Sequence, residues 1–101
     1  MTDNTIFDLG AAYGYAQAHL PHILGTPERV SMAAMRPLAA ITFAVNTLLR
    51  NQKMTPHIDD MIRSALSGVE MTPDKEKVLS LDQQGFWLLG YNKGKEKDKL
   101  I

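Results

Sequence analysis

Three Thr-Pro pairs divide the chain into segments of helix length. They are Thr26-Pro27, Thr55-Pro56 and Thr72-Pro73. A threonine hydroxyl can accept a hydrogen bond from a free amide of the first helical turn, and proline at the next position removes an amide that has no partner there. Each pair therefore predicts a helix start or a sharp turn, while Gly25 and Gly68 predict the ends of the helices that precede two of the pairs.

Between these marks, apolar residues recur at spacings of three and four, as on one face of a helix. The first segment carries such a stripe, with Asn4 as the expected N-cap: Ile6, Leu9, Tyr13, Ala16 and Leu20. The segment from Pro37 to about Gln52 is the most apolar, and we expect it to lie at the centre of the fold. The sequence lacks alternating β-branched residues bounded by tight-turn dipeptides. It predicts an all-α protein, a compact bundle of four to five helices.

A stripe of small residues also runs along the first helix, at Gly10, Gly14 and Ala18. This spacing predicts close packing against another helix. A membrane-embedded dimer would need an apolar segment of about 20 residues around the stripe. Asp8 and Gln17 exclude that alternative.

The most unusual stretch is LSLDQQGFWLLGYNKGKEK, which holds the only tryptophan. The S-x-x-Q spacing from Ser80 is that of a capping box and predicts a helix that begins at Leu81. A helix that is apolar around most of its circumference is either deeply buried or shared with a second protein. Both alternatives are open for a chain of 101 residues. In the second, three aromatic residues would dock a partner: Phe86, Trp87 and Tyr91.

Charge is balanced overall, with 11 basic and 11 acidic residues and a pI of about 6.8. A dedicated nucleic-acid-binding domain usually has a pI above about 9. The sequence favours a single domain over residues 1–92, followed by a lysine-rich C-terminal tail over residues 93–101. Solvated helix ends and a frayed terminus would explain the basic residues. Alternatively, some of them bind a nucleic-acid backbone weakly, with these candidates: Arg36, Arg50, Lys53, Lys93 and Lys95.

No catalytic or metal-binding signature is present. The chain has no cysteine, and His19, His22 and His57 lack the spacing of a zinc site. Asp59 and Asp60 are adjacent, so on a helix they do not face each other as an acid–base pair. We expect no enzyme, no metal and no cofactor. The start lacks the features of a signal peptide and no apolar run could span a bilayer, which predicts a soluble, cytoplasmic protein.

Three segments between Met35 and Lys95 carry a family resemblance: MRPLAAITFAVNTLLRNQK, IDDMIRSALSGVE and LSLDQQGFWLLGYNKGK. In this order they resemble the helical small subunit of type I CRISPR surveillance complexes (Cascade). The likeness is greatest to the small-subunit region at the C-terminus of the type I-C large subunit. There the last helix is closed by a segment of the form Leu-Ser, acidic or Gln pair, Gly, aromatic, Leu-Gly-Tyr, which corresponds here to Leu79–Tyr91.

The resemblance implies a non-catalytic structural subunit of a CRISPR ribonucleoprotein surveillance complex. Such a subunit braces the backbone of the complex and contacts the DNA strand non-specifically, since phosphate contacts position a duplex without reading its sequence. Its partners would be the other protein subunits, with self-association possible. The residues alone leave an alternative from another class, a phage- or plasmid-type protein-binding regulator or inhibitor that acts through the aromatic last helix.

Overall fold

The computed structural model describes residues 2–69, 76 and 78–99, with the backbone alone for residues 97–99. These residues contain no β-strand, so the all-α prediction is confirmed. They form one more helix than the upper expected number because Pro21 begins an additional single turn. The helices are α1 (Asp3–Gln17), α2 (Pro21–Leu24), α3 (Pro27–Met35), α4 (Pro37–Arg50), α5 (Pro56–Leu66) and α6 (Leu81–Lys99).

The Thr-Pro pairs begin helices where the structure describes them. The hydroxyl of Thr26 accepts a hydrogen bond from the amide of Arg29 at 3.3 Å, and that of Thr55 accepts from the amide of Ile58 at 3.2 Å. The following proline is in the first turn of α3 and of α5. The Thr72-Pro73 pair lies outside the described residues.

The capping box at the start of α6 is also present. The Ser80 hydroxyl accepts from the Gln83 amide at 3.2 Å, and the Gln83 side-chain oxygen accepts from the Ser80 amide at 3.0 Å. The expected cap of α1 is wrong. Thr2 is the N-cap, because its hydroxyl accepts a hydrogen bond from Thr5, and Asn4 lies inside the helix.

The helix at the centre of the fold is α1, and the expectation that α4 would lie there is wrong. Residues 9–17 of α1 are all buried, and α1 contacts α2, α4, α5 and α6. The α4 helix buries one face only, and Leu49 on its other side is 58% exposed. Small residues in α1 explain the difference, since they let neighbouring helices approach on several sides.

The contact between α1 and α6 is made by backbone on both sides. Gly10 and Gly14 of α1 face α6, and Gly90 and Gly94 of α6 face α1. A Cβ built on any of the four would overlap a carbonyl oxygen of the opposite helix, and would lie only 2.8–3.0 Å from that carbonyl's carbon. The small-residue stripe therefore packs against another helix at Gly10 and Gly14, as expected. Ala18 does not continue it, because it is the C-cap of α1.

Facing positions show that α1 and α6 run parallel. Phe7 lies beside Gly90, and Ala11 lies beside Gly94. Residue numbers thus increase in the same direction along both helices, which are the first and last helices described. At such separations Cα–H groups of one helix reach carbonyl oxygens of the other, and dispersion contacts are dense.

The start of α6 is attached to the corner between α3 and α4. Arg36 gives α4 no side-chain cap, and the buried carboxylate of Glu76 supplies one by accepting hydrogen bonds from the amides of Leu38 (2.6 Å) and Ala39 (3.1 Å). A carboxylate at this position also complements the helix dipole. The amide of Leu79 then donates to the carbonyl of Met35 at 2.9 Å.

The end of α6 differs from the expected domain boundary. The helix does not stop at Asn92 but continues through Lys99, and Gly94 is buried against α1. Residues 93–99 are therefore part of the helical fold, and the predicted lysine-rich tail is wrong over these residues.

Alanine substitutions at two glycines of α6 should separate the effect of the α1–α6 backbone contact on stability from the effect of helix propensity. Gly90→Ala should lower the free energy of unfolding by about 3 kcal/mol, because the added methyl group overlaps the Phe7 carbonyl. Gly85 has no atom within 4 Å of a built Cβ. Gly85→Ala should therefore raise the free energy of unfolding by about 0.5–1 kcal/mol through helix propensity alone. Urea denaturation at low protein concentration measures both, and equal effects would contradict the backbone contact.

Candidate functional site

The inner face of α6 is part of the hydrophobic core. Trp87 is 0% exposed and Tyr91 is 6% exposed. Their rings stack with centroids 5.3 Å apart, and the Tyr13 ring lies 5.6 Å from that of Trp87. The prediction that Trp87 and Tyr91 dock a partner is therefore wrong. Both lie on the same side of α6 as Gly90 and Gly94, and the glycine contact brings that side against α1.

The outer face of α6 carries both apolar and polar residues and is not covered by the rest of the described chain. It exposes Leu81 (84%), Leu89 (60%), Leu88 (40%) and Phe86 (39%). Of the three expected docking residues, only Phe86 lies on this face. Of the two alternatives that the sequence left open, the described residues enclose only part of the circumference of α6, and the sequence did not show which residues remain outside.

Four residues form a line along this outer face, which we call the outer seam: Asp82, Phe86, Leu89 and Lys93. Their spacings of four, three and four place them on one side of a helix. Gly85 lies beside the seam, and with Asp82, Phe86 and Leu89 it lines a shallow open groove. The seam is acidic at its N-terminal end, apolar in the middle and basic at its C-terminal end.

The candidate nucleic-acid-binding residues do not form one cluster. Arg36 is exposed at the corner between α3 and α4, whereas Arg50 and Lys53 are exposed at the opposite end of α4. A helix of 14 residues is about 20 Å long, so the two groups are separated by that distance along α4. Any phosphate contacts made by these cations would be spread over the surface.

Lys93 and Lys95 have different surroundings although they are two residues apart. Lys93 is exposed in the outer seam. Lys95 is half-buried, and its Nζ lies 5.2 Å from the centroid of the Tyr91 ring, within the range of a cation–π contact. The two lysines therefore lie on different sides of α6.

A cavity that the sequence did not indicate lies between α1, α3 and α4. Its volume is about 120 Å³, and its lining is mainly apolar, with Tyr13, Ala33 and Phe43 among the residues. Arg29 and Arg36 also line it, and the Arg29 guanidinium lies 4.0 Å from the centroid of the Phe43 ring. In the sequence, the spacing of seven residues between the two arginines was the one signal of this cavity. Nothing in the sequence indicated that Ala33, Ala39 and Ala40 also line it.

A groove between α1 and α5 brings together residue types used in catalysis, including His57, Ser64 and Asp60. The His57 ring packs edge-on against Tyr15 at 5.1 Å. In the part of the chain that the structure describes, no hydrogen bond joins Ser64 to His57. Across all the residues that the structure describes, no group of three or more His, Cys, Asp or Glu side chains could hold a metal ion.

Comparisons with protein-family models, with curated proteins and with solved structures found no match to this chain. A search of the described helices for one of the length and hydropathy required to cross a bilayer also found none.

The buried tyrosines between α1 and α6 should make the free energy of unfolding fall as the pH rises in the alkaline range. Burial raises the pKa of Tyr13 to about 12 from 10.0, and burial also raises the pKa of Tyr91. The folded state therefore keeps protons that the unfolded state releases. The stability that these protonated tyrosines contribute is complete below about pH 10 and is lost as the pH rises from about 10 to 12.

Urea midpoints across this pH range, with tyrosinate absorbance, would measure the effect. The Tyr13 hydroxyl donates a hydrogen bond to the Leu24 carbonyl at 2.7 Å. Because the substitution removes this bond, Tyr13→Phe should lower the free energy of unfolding by about 1 kcal/mol at neutral pH. The variant should also lose less stability between pH 10 and 12 than the wild type. An identical loss in both proteins would show that Tyr13 is not the group responsible.

Proposed function

We propose that this chain is a non-catalytic structural subunit that docks onto a neighbouring protein through the outer face of α6. The observation that carries the proposal is the exposure of four large apolar side chains around the outer half of a helix, opposite the buried Trp87, Gly90 and Gly94. An apolar centre with charged groups at both ends is the usual anatomy of a protein interface.

The packing of α6 supports this role. Its inner face is fixed against α1 by the four glycines and by the buried Trp87. The outer side chains therefore project from a rigid element. Little conformational entropy remains to be lost when a partner binds, and such preorganisation favours affinity.

We further propose that the assembly is a CRISPR ribonucleoprotein surveillance complex, as the resemblance of the segments between Met35 and Lys95 implies. The chain would brace the backbone subunits and contact a DNA strand non-specifically. Separate cations at Arg36 and at Arg50 with Lys53 suit spaced phosphate contacts better than one compact anion site. Such contacts would be weak alone and would weaken further with salt.

The net charge of zero favours a second candidate, a phage- or plasmid-type regulator or inhibitor that binds a protein rather than nucleic acid. It would use the same outer face of α6. The two candidates differ in the partner, because a regulator would bind its target without guide RNA or DNA.

Mixing the chain with the other subunits and the guide RNA of a type I complex tests the proposal. We expect co-elution in size-exclusion chromatography, and we expect Leu89→Asp to abolish it by placing a charge in the apolar centre of the interface. Leu49→Asp is the matched control, since Leu49 of α4 is 58% exposed and Leu89 is 60% exposed. The control should co-elute as the wild type does.

Absence of co-elution for the wild type would refute the assembly role, and equal loss in both variants would refute the choice of surface. DNA affinity of the assembled complex tests the remaining part. If Arg50→Glu with Lys53→Glu leaves its dependence on salt unchanged, these residues do not contact phosphate.

A further inference from the structure

The outer seam has the same spacing when it is read from either end. From Asp82 to Phe86, Leu89 and Lys93 the steps are four, three and four residues. We infer that the partner of this face is a second copy of the chain, with the two α6 helices antiparallel across a twofold axis. The inference rests on the docking face named in the proposed function and identifies the neighbouring protein as a second copy of the chain. The chain would then join the assembly as a dimer, so that Leu89→Asp removes it from the assembly by breaking the dimer.

Charge complementarity determines the direction of pairing. The midpoint between Asp82 and Lys93 is also the midpoint between Phe86 and Leu89. An antiparallel pair centred there places Asp82 of each copy opposite Lys93 of the other, which gives two ion pairs of opposite charge. A parallel pair would place like charges opposite each other at both ends, and like-charge contacts disfavour a complex. In a twofold arrangement the same patch serves both copies, and the spacing of four, three and four is compatible with this.

The apolar middle of the seam fits this arrangement. Phe86 of one copy would lie opposite Leu89 of the other, twice across the axis. Spacings of four and three are also those of the apolar seam between two helices in a coiled coil. Leu81 and Leu88 lie about a third of a turn away from the seam and are not part of this contact.

Gly85 provides a second, independent observation. A glycine inside a helix costs about 1 kcal/mol relative to alanine. Gly10, Gly14, Gly90 and Gly94 are each explained by a facing backbone, but nothing in the described chain lies within 4 Å of a Cβ built on Gly85. In the antiparallel pair, Leu89 of the second copy lies at the level of Phe86 and beside Gly85. The groove at Gly85 would receive that side chain.

A single pair of helices forms a small interface, below the roughly 1,200 Å² of a standard stable complex. We therefore expect a reversible dimer with a dissociation constant on the order of 10–100 µM. Sedimentation velocity of the isolated chain from about 1 µM to 1 mM would show the sedimentation coefficient rising from the monomer value toward that of a dimer.

Charge reversal tests the pairing itself. Asp82→Lys and Lys93→Asp each create two like-charge contacts across the axis and should each raise the dissociation constant at least about tenfold. The double variant carrying both changes restores two opposite-charge pairs and should return to the wild-type constant. Asp60→Lys, an exposed acid on α5, is the control and should dimerise normally. Thermal unfolding at low concentration checks that each variant folds.

A monomer at all concentrations, or a double variant no better than the single ones, would overturn the inference. This result is separable from the proposed function. A chain that stays monomeric but co-elutes with a ribonucleoprotein would keep the assembly role and lose the dimer. A chain that dimerises but never joins the complex would keep the dimer and lose the assembly role.

Discussion

Backbone contact between α1 and α6 is the constraint on which the rest of the structure depends. Four glycines, two on each helix, remove the side chains that would otherwise hold the helices apart. Because the two helices come from the ends of the chain, the contact closes the fold around α1. The core of Tyr13, Trp87 and Tyr91 lies along the same contact, and its burial follows from the approach of the two backbones.

The same contact decides what α6 can do. It assigns Trp87 and Tyr91 to the interior and leaves four large apolar residues outside: Leu81, Phe86, Leu88 and Leu89. The helix is long, and the described part of the chain covers only one side of it. The outer face is therefore a consequence of how the inner face packs. Its charged ends and the unoccupied side of Gly85 give it a direction and a shape.

Local signals in the sequence predicted the helices well. Thr26, Thr55 and Ser80 cap where expected, because capping needs only residues within one turn. The identity of the central helix was not predictable from apolar content, since α4 is more apolar than α1 but packs on one face. The docking residues were also misassigned, because the prediction did not consider Gly90 and Gly94, which bring the side of α6 with Trp87 and Tyr91 against α1. The signal was present, as Gly90-x-x-x-Gly94 repeats the spacing of Gly10-x-x-x-Gly14.

Proton–proton contacts in solution test the parallel glycine contact most directly. A nuclear Overhauser experiment on the labelled protein should show cross-peaks from the Gly10 Hα protons to the Tyr91 amide and from the Gly14 Hα protons to the Lys95 amide, since these amides face the two glycines. Cross-peaks from Gly10 to the Lys95 amide and from Gly14 to the Tyr91 amide would instead show antiparallel helices. That pattern, or no contact between the two helices, would contradict this account of the fold and of the outer face of α6.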